Sequence, residues 1–179
     1  MGVTGVGPVA FAPPRQTMQL MESKRAGRYE RIYAQLEDLI EGQSPGLTAA
    51  MATMCAVLHH KMPHHFWTGF YFVAADNELH VGPYQGPVAC QVLRDQGVCL
   101  ACARTRRPVV VPDVERFAGH IACDPRSKSE IALPVLASAA DGPDQVIAVL
   151  DIDAPKLRQF GEEDVAPLQR ILSLLEPYL

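Results

Sequence analysis

Between Lys61 and Phe66 the hydrophobic pattern changes period, and that change requires a fold that joins helices to a sheet. Upstream, Tyr29, Ile32, Tyr33, Leu36, Leu39 and Ile40 recur at three- and four-residue spacing, which predicts an amphipathic helix from Lys24 to Glu41. Gly42 to Gly46 interrupts it, and Ser44-Pro45 reads as a cap and first-turn pair for a second helix ending at Lys61, before Pro63. Downstream, Phe66-Trp67-Thr68-Gly69-Phe70-Tyr71-Phe72-Val73 is aromatic and β-branched, which suits a strand. Asp76-Asn77 supplies a turn, and Leu79 to Tyr84 a returning strand.

The rest of the chain continues this mixture. Val88 to Leu93 reads as a strand, Val98 to Thr105 as a short helix, and Pro108 to Pro112 as an extended segment. Asp113 to Ser129 shows little period, and a loop of that length in a compact domain is usually functional or mobile. Glu130 to Leu136 and Gln145 to Ile152 read as apolar strands around an Asp141-Gly142-Pro143 turn. Glu162 to Leu179 reads as a closing helix with Val165, Leu168, Ile171, Leu172 and Leu175 on one face. Its acidic start suits the positive end of a helix dipole. The order predicts an α+β domain over residues 23–179, with helices packed on a mostly antiparallel sheet. Residues 1–22, rich in Gly, Pro, Val and Ala, read as a disordered tail.

Composition narrows the function classes. A net charge of −4 and 20% charged residues give no broad basic face, so nucleic acid and anionic membranes are poor partners. Arg104-Thr105-Arg106-Arg107 is too short to alter this and reads as a solvated helix end. No apolar run is long enough for a membrane span, and Met1 to Pro14 does not read as a secretory signal. A cytoplasmic protein is expected.

The five cysteines are Cys55, Cys90, Cys99, Cys102 and Cys123. An odd count without an export signal argues against a structural disulfide framework. Cys123 stands in the irregular segment with His120, Arg126 and Lys128, cations of the kind that bias a thiol toward thiolate. A surface loop with an inert cysteine fits the same spacing equally well. Cys99-Leu100-Ala101-Cys102 has the spacing of redox and zinc motifs. Cys90, Cys123, His120, His59, His60, His64, His65 and His80 are available as further ligands, but no second paired unit follows cleanly. A thioredoxin-like motif would belong after the first strand of a βαβ unit, and no such unit is visible. In Leu150-Asp151-Ile152-Asp153, alternation puts both carboxylates on one strand face, suited to a ligand's ammonium group. Pattern alone slightly favours an ordinary strand end fraying into solvent before Pro155.

Several segments, in order, resemble the free methionine-R-sulfoxide reductases, small single-domain proteins of the GAF fold. They are Trp67-Thr68-Gly69-Phe70-Tyr71, Gly82-Pro83-Tyr84-Gln85-Gly86-Pro87-Val88-Ala89-Cys90 and Gly97-Val98-Cys99. Val111-Pro112-Asp113-Val114, Gly119-His120-Ile121-Ala122-Cys123-Asp124, Ser127-Lys128-Ser129-Glu130-Ile131 and Val149-Leu150-Asp151-Ile152-Asp153 complete the set. The resemblance runs from about Tyr29 to Leu175. Departures fall between Gln91 and Cys102: the segment before Cys99 is about one residue short, Leu100 replaces a usual glycine, and Cys102 a common alanine.

The resemblance implies a GAF-like fold and thiol-dependent reduction of free methionine-R-sulfoxide. Cys123 would attack the sulfoxide sulfur, Cys90 would resolve the sulfenic acid, and Cys99 would be a second resolving or relay cysteine, or the nucleophile itself. Glu130 would assist as an acid, Asp151 and Asp153 would bind the ammonium or support proton transfer, and Trp67 would wall the pocket. Thioredoxin would recycle the disulfide; a homodimer is expected, and no metal or cofactor. Cys55 and Cys102 fall outside the motifs and read as buried or incidental. The alternatives are a GAF module that senses oxidant or a small ligand and, last, a zinc-binding interaction protein.

Overall fold

A computed structural model describes residues 15–75, 77–121, 123–138 and 142–179. Helices α1 (Arg15–Ile40) and α2 (Leu47–Lys61) precede the hairpin β1 (Trp67–Ala75) and β2 (Glu78–Gln85). Then come β3 (Val92–Arg94), α3 (Val98–Thr105), β4 (Val109–Val111), β5 (Ser129–Ala137), β6 (Gln145–Ala154) and α4 (Val165–Leu172), the last flanked by 3-10 turns. The sheet order is β3-β2-β1-β6-β5-β4, with every pairing antiparallel. Among the described residues, no helix is long and apolar enough to cross a membrane.

Burial explains these elements. Tyr29, Ile32, Leu36 and Ile40 form the buried stripe of α1, and Ala50, Met51, Met54, Cys55 and Leu58 that of α2. Both pack with α4 on one face of the sheet, against Phe70, Ile131, Leu133, Ala148, Leu150 and Ile152. The smaller helix α3 covers the opposite face, where its Val98, Cys99, Leu100 and Cys102 meet Tyr71, Ala132 and Val149. Asp164, fully buried, fastens the start of α4 to α1: it accepts hydrogen bonds from Arg25 at 2.8 Å and Tyr29 at 2.9 Å. The acidic start of the closing segment thus serves a tertiary clamp.

Four details differ from the sequence reading, the first being that the closing helix expected over Glu162 to Leu179 is α-helical only from Val165 to Leu172, with 3-10 turns on either side. Helix α1 starts at Arg15, nine residues before Lys24, because Gln16 to Glu22 are, apart from Thr17, good helix formers without an apolar stripe to announce them. Residues 1–14 of the expected tail lie outside the described residues, as does Asp141 of the expected turn. Gly46, not Ser44, caps α2, and the Ser44 hydroxyl donates to the Gly46 carbonyl instead. The strand expected over Val88 to Leu93 shrinks to three residues, because Cys90 leaves the ladder to bond with Cys123.

Candidate active site

Register and alternation build the site on the face covered by α3. Along β6, Leu150 and Ile152 point to the α1–α2–α4 core, so Asp151 and Asp153 point the other way. Trp67 of β1, Asp153 of β6 and Glu130 of β5 lie in one row across three strands; Gly69, Asp151 and Ala132 form the next. Gly69 is required by space: a Cβ there would overlap the Trp67 ring and the Tyr84 Cβ. Trp67 stacks on Tyr71 and Tyr84 at centroid distances of 5.6 and 5.4 Å, and its Nε1 has no partner.

Trp67, Tyr71, Glu130, Asp151 and Asp153 floor a cavity of about 50 Å3, room for a few waters. Its outer wall comes from two loops, one ending at Cys90 and one carrying His120, Ile121 and Cys123. A disulfide joins Cys90 to Cys123 across the mouth, with 5.5 Å between the Cα atoms. Gly119, at φ +80°, makes the turn that brings the second loop over the cavity, a backbone region costly for other residues. The loop ends are fixed to the sheet by Val114 N–H to Lys128 O at 3.1 Å and Lys128 N–H to Ala154 O at 2.9 Å.

The cations near Cys123 in sequence are engaged elsewhere. Arg126 pairs with Asp124 at 2.7 Å and lies over the Phe66 ring; Lys128 pairs with Glu115 at 2.8 Å. Of the three candidates only His120 lines the cavity.

Cys99 reaches the cavity from α3, and its Sγ donates to Glu130 Oε1 at 3.7 Å. Burial pushes the Cys99 thiol up, helped by the charges of Asp151 and Glu130. Burial raises Glu130 well above the usual carboxylate range, with Asp151 and Asp153 adding to it. Asp151 is pushed up to about 6, mainly by burial, and Asp153 is raised by burial and by Asp151. Crowded, desolvated carboxyls hold protons near neutrality, so this floor can both donate a proton and accept a cationic ligand.

All seven residues singled out from sequence therefore border the cavity or its disulfide. Cys55 and Cys102 are fully buried, Cys55 on the opposite side in the helical core and Cys102 on α3, in the cluster between that helix and the sheet. Two further residues were not singled out individually. Tyr71 donates to the Cys90 carbonyl at 3.2 Å, tying the disulfide loop to β1. Ser127 lines the cavity with Asp153, and its hydroxyl favours the charged form of that carboxyl. Tyr71 was within reach, since it shares a strand face with Trp67; Ser127 required the loop's course.

The family model of the GAF domain matches residues 44–177. The chain belongs to the GAF-domain family. Its relatives at 35–40% identity include proteins named free methionine-R-sulfoxide reductase, which are oxidoreductases. The enzyme of that name from Escherichia coli (strain K12) is 35% identical over 152 residues, covering 83% of this chain and 88% of that one. The free methionine-R-sulfoxide reductase of Neisseria meningitidis, solved with its substrate, is 35% identical with a TM-score of 0.78, covering 86% and 89%. GAF domain-containing protein A of Dictyostelium discoideum is 38% identical over 162 residues, covering 90% and 98%.

Proposed function

We propose that the protein reduces free L-methionine-(R)-S-oxide to methionine. One observation carries this reading: a disulfide closes a cavity whose floor holds three carboxyls of raised proton affinity. The disulfide-bonded form is the oxidised resting state, and its reduction releases the two loops and admits substrate. The Cys123 thiolate attacks the sulfoxide sulfur while protonated Glu130 donates to the oxygen. The S–O bond breaks, methionine leaves, and Cys123 keeps the oxygen as a sulfenic acid. The Cys90 thiol then displaces that oxygen as water, restoring the disulfide. A dithiol protein of the thioredoxin type reduces it by exchange.

In this reading Asp151 and Asp153 hold the substrate ammonium and Trp67 walls the methyl group, where apolar contact selects shape. Cys99, hydrogen-bonded to Glu130, serves as a relay thiol. The role in oxidative stress, the homodimer and the cytoplasmic setting belong to the same proposal. Three free thiols beside one disulfide suit a reducing compartment.

The test is NADPH consumption in a thioredoxin-coupled assay with each epimer of free methionine sulfoxide. Turnover of the R epimer alone is expected. No turnover with either epimer, from folded and fully reduced protein, would leave a sensing module as the reading.

A further inference from the structure

Cys99, Glu130 and Asp151 each offer one ligand atom, and these atoms lie within 4.8 Å of one another. They come from α3, β5 and β6, so tertiary packing rather than local spacing brings them together. All three are buried, at 4, 5 and 6% exposure. Asp151 Oδ1 is without a hydrogen-bond partner. A buried carboxylate oxygen left unpaired is costly and marks a position that a ligand can satisfy.

The donor set narrows the ligand. Zinc bonds of about 2.0–2.3 Å put neighbouring atoms of a tetrahedral shell roughly 3.4–3.8 Å apart. Cys99 Sγ and Glu130 Oε1 already stand 3.7 Å apart. One sulfur with two carboxylate oxygens suits a borderline ion; calcium and magnesium take oxygen ligands. The adjoining cavity leaves a fourth direction open to water.

We propose that Cys99, Glu130 and Asp151 bind a thiophilic divalent cation, Zn2+ or an ion like it, and that the bound ion excludes substrate. The binding stands on the side-chain geometry; the exclusion of substrate rests on the reductase reading above. Binding changes no oxidation state. The Cys99 thiol loses its proton to solvent and forms a metal–sulfur bond, and the carboxyls release whatever protons they hold. Cation and protons compete for the same three groups, so affinity rises with pH.

The first measurement is a Co2+ titration of the protein with its Cys90–Cys123 disulfide intact, where Cys55, Cys99 and Cys102 are the free thiols. One equivalent of Co2+ giving a thiolate-to-metal charge-transfer band, displaced by Zn2+, is expected. Cys102→Ser keeps the band, Cys99→Ser loses it, and Asp151→Asn weakens binding by about tenfold or more. A missing band, or one that survives Cys99→Ser, overturns the site. If Cys99→Ser does not fold by circular dichroism, the Asp151→Asn titration decides, and unchanged affinity there overturns it too. In single-turnover release of methionine by reduced protein, Zn2+ raises the half-saturating substrate concentration without lowering the limiting rate. A lowered limiting rate with unchanged half-saturation overturns the exclusion of substrate. A cobalt band in a protein that releases no methionine supports the metal site and sinks the reductase reading.

Discussion

The two faces of the sheet are drawn from the same strands, one residue apart, yet they obey different rules. Toward α1, α2 and α4, β5 and β6 present Ile131, Leu133, Leu150 and Ile152, all fully buried. Toward α3, the same strands present Glu130, Asp151 and Asp153. The first face is a dry core that pays for folding. On the second, burial works against the charged forms of three carboxyls and a thiol, and an Asp151 oxygen and the Trp67 N–H go unpaired. Unsatisfied polar groups persist where function needs them and the rest of the fold supplies the stability.

The largest effect expected is on the second face alone. Cys123→Ser should lower turnover by roughly a thousandfold or more, since a hydroxyl cannot replace a thiolate in attack on sulfur. Cys123 is exposed, so the denaturation midpoint of the reduced protein should barely move. Near-normal activity would pass the nucleophile's role to Cys99. The converse change is Leu133→Ala, opposite Leu150 in the dry core. It should cost about 2–5 kcal/mol of stability in urea, with kcat/KM of the folded fraction kept. An equal loss of activity per folded molecule would mean that the faces are not separable.

Much of the first face was legible because burial writes itself as a period. The stripes of α1 and α2 and the alternation of β6 are visible in sequence, and α3 spans the residues expected of it. The start of α1 was not, because those residues carry propensity without an apolar stripe. The second face was legible only in pieces. Alternation put Asp151 and Asp153 on one side, but setting Glu130 beside Asp153 takes the β5–β6 register, which no local pattern encodes. Val88 to Cys90 read as strand, whereas a disulfide spanning 33 residues of sequence holds that segment out of the ladder. The Cys99–Cys102 spacing suggested paired ligands, but one turn of α3 separates a cavity residue from one sealed below it.

A smaller effect sharpens the contrast within the second face. Asp153→Asn should raise KM or lower kcat by about tenfold or more, since charge-assisted contacts are worth about 1.5–3 kcal/mol. The stability of this variant should hold or rise at pH 7, because burial disfavours the carboxylate it removes. Unchanged kinetics at every substrate concentration would remove Asp153 from the site.

The smallest effect uses acid to tell the faces apart. Asp151 binds its proton more tightly folded, at about 6, than its ordinary value of 3.8. The stability from this protonation is full below 3.8 and is lost as pH rises through about 6, so acid relieves the site. His64 behaves oppositely: burial, with Arg25 and Arg28 nearby, lowers it from 6.5 to about 4. Its contribution is full above 6.5 and is lost as pH falls through about 4. His64 and His65 pack on Phe160 beside the helical face, and His65, also held neutral by burial, contacts Thr68 at 3.3 Å. His64→Gln should therefore recover about 1 kcal/mol at pH 4, discounted for partial exposure, or roughly 2–4 °C in Tm, and little at pH 8. Asp151→Asn should gain stability at pH 8 and lose that advantage at pH 4. Melting curves of both variants at the two pH values measure this, and parallel shifts would show that acid does not distinguish the faces.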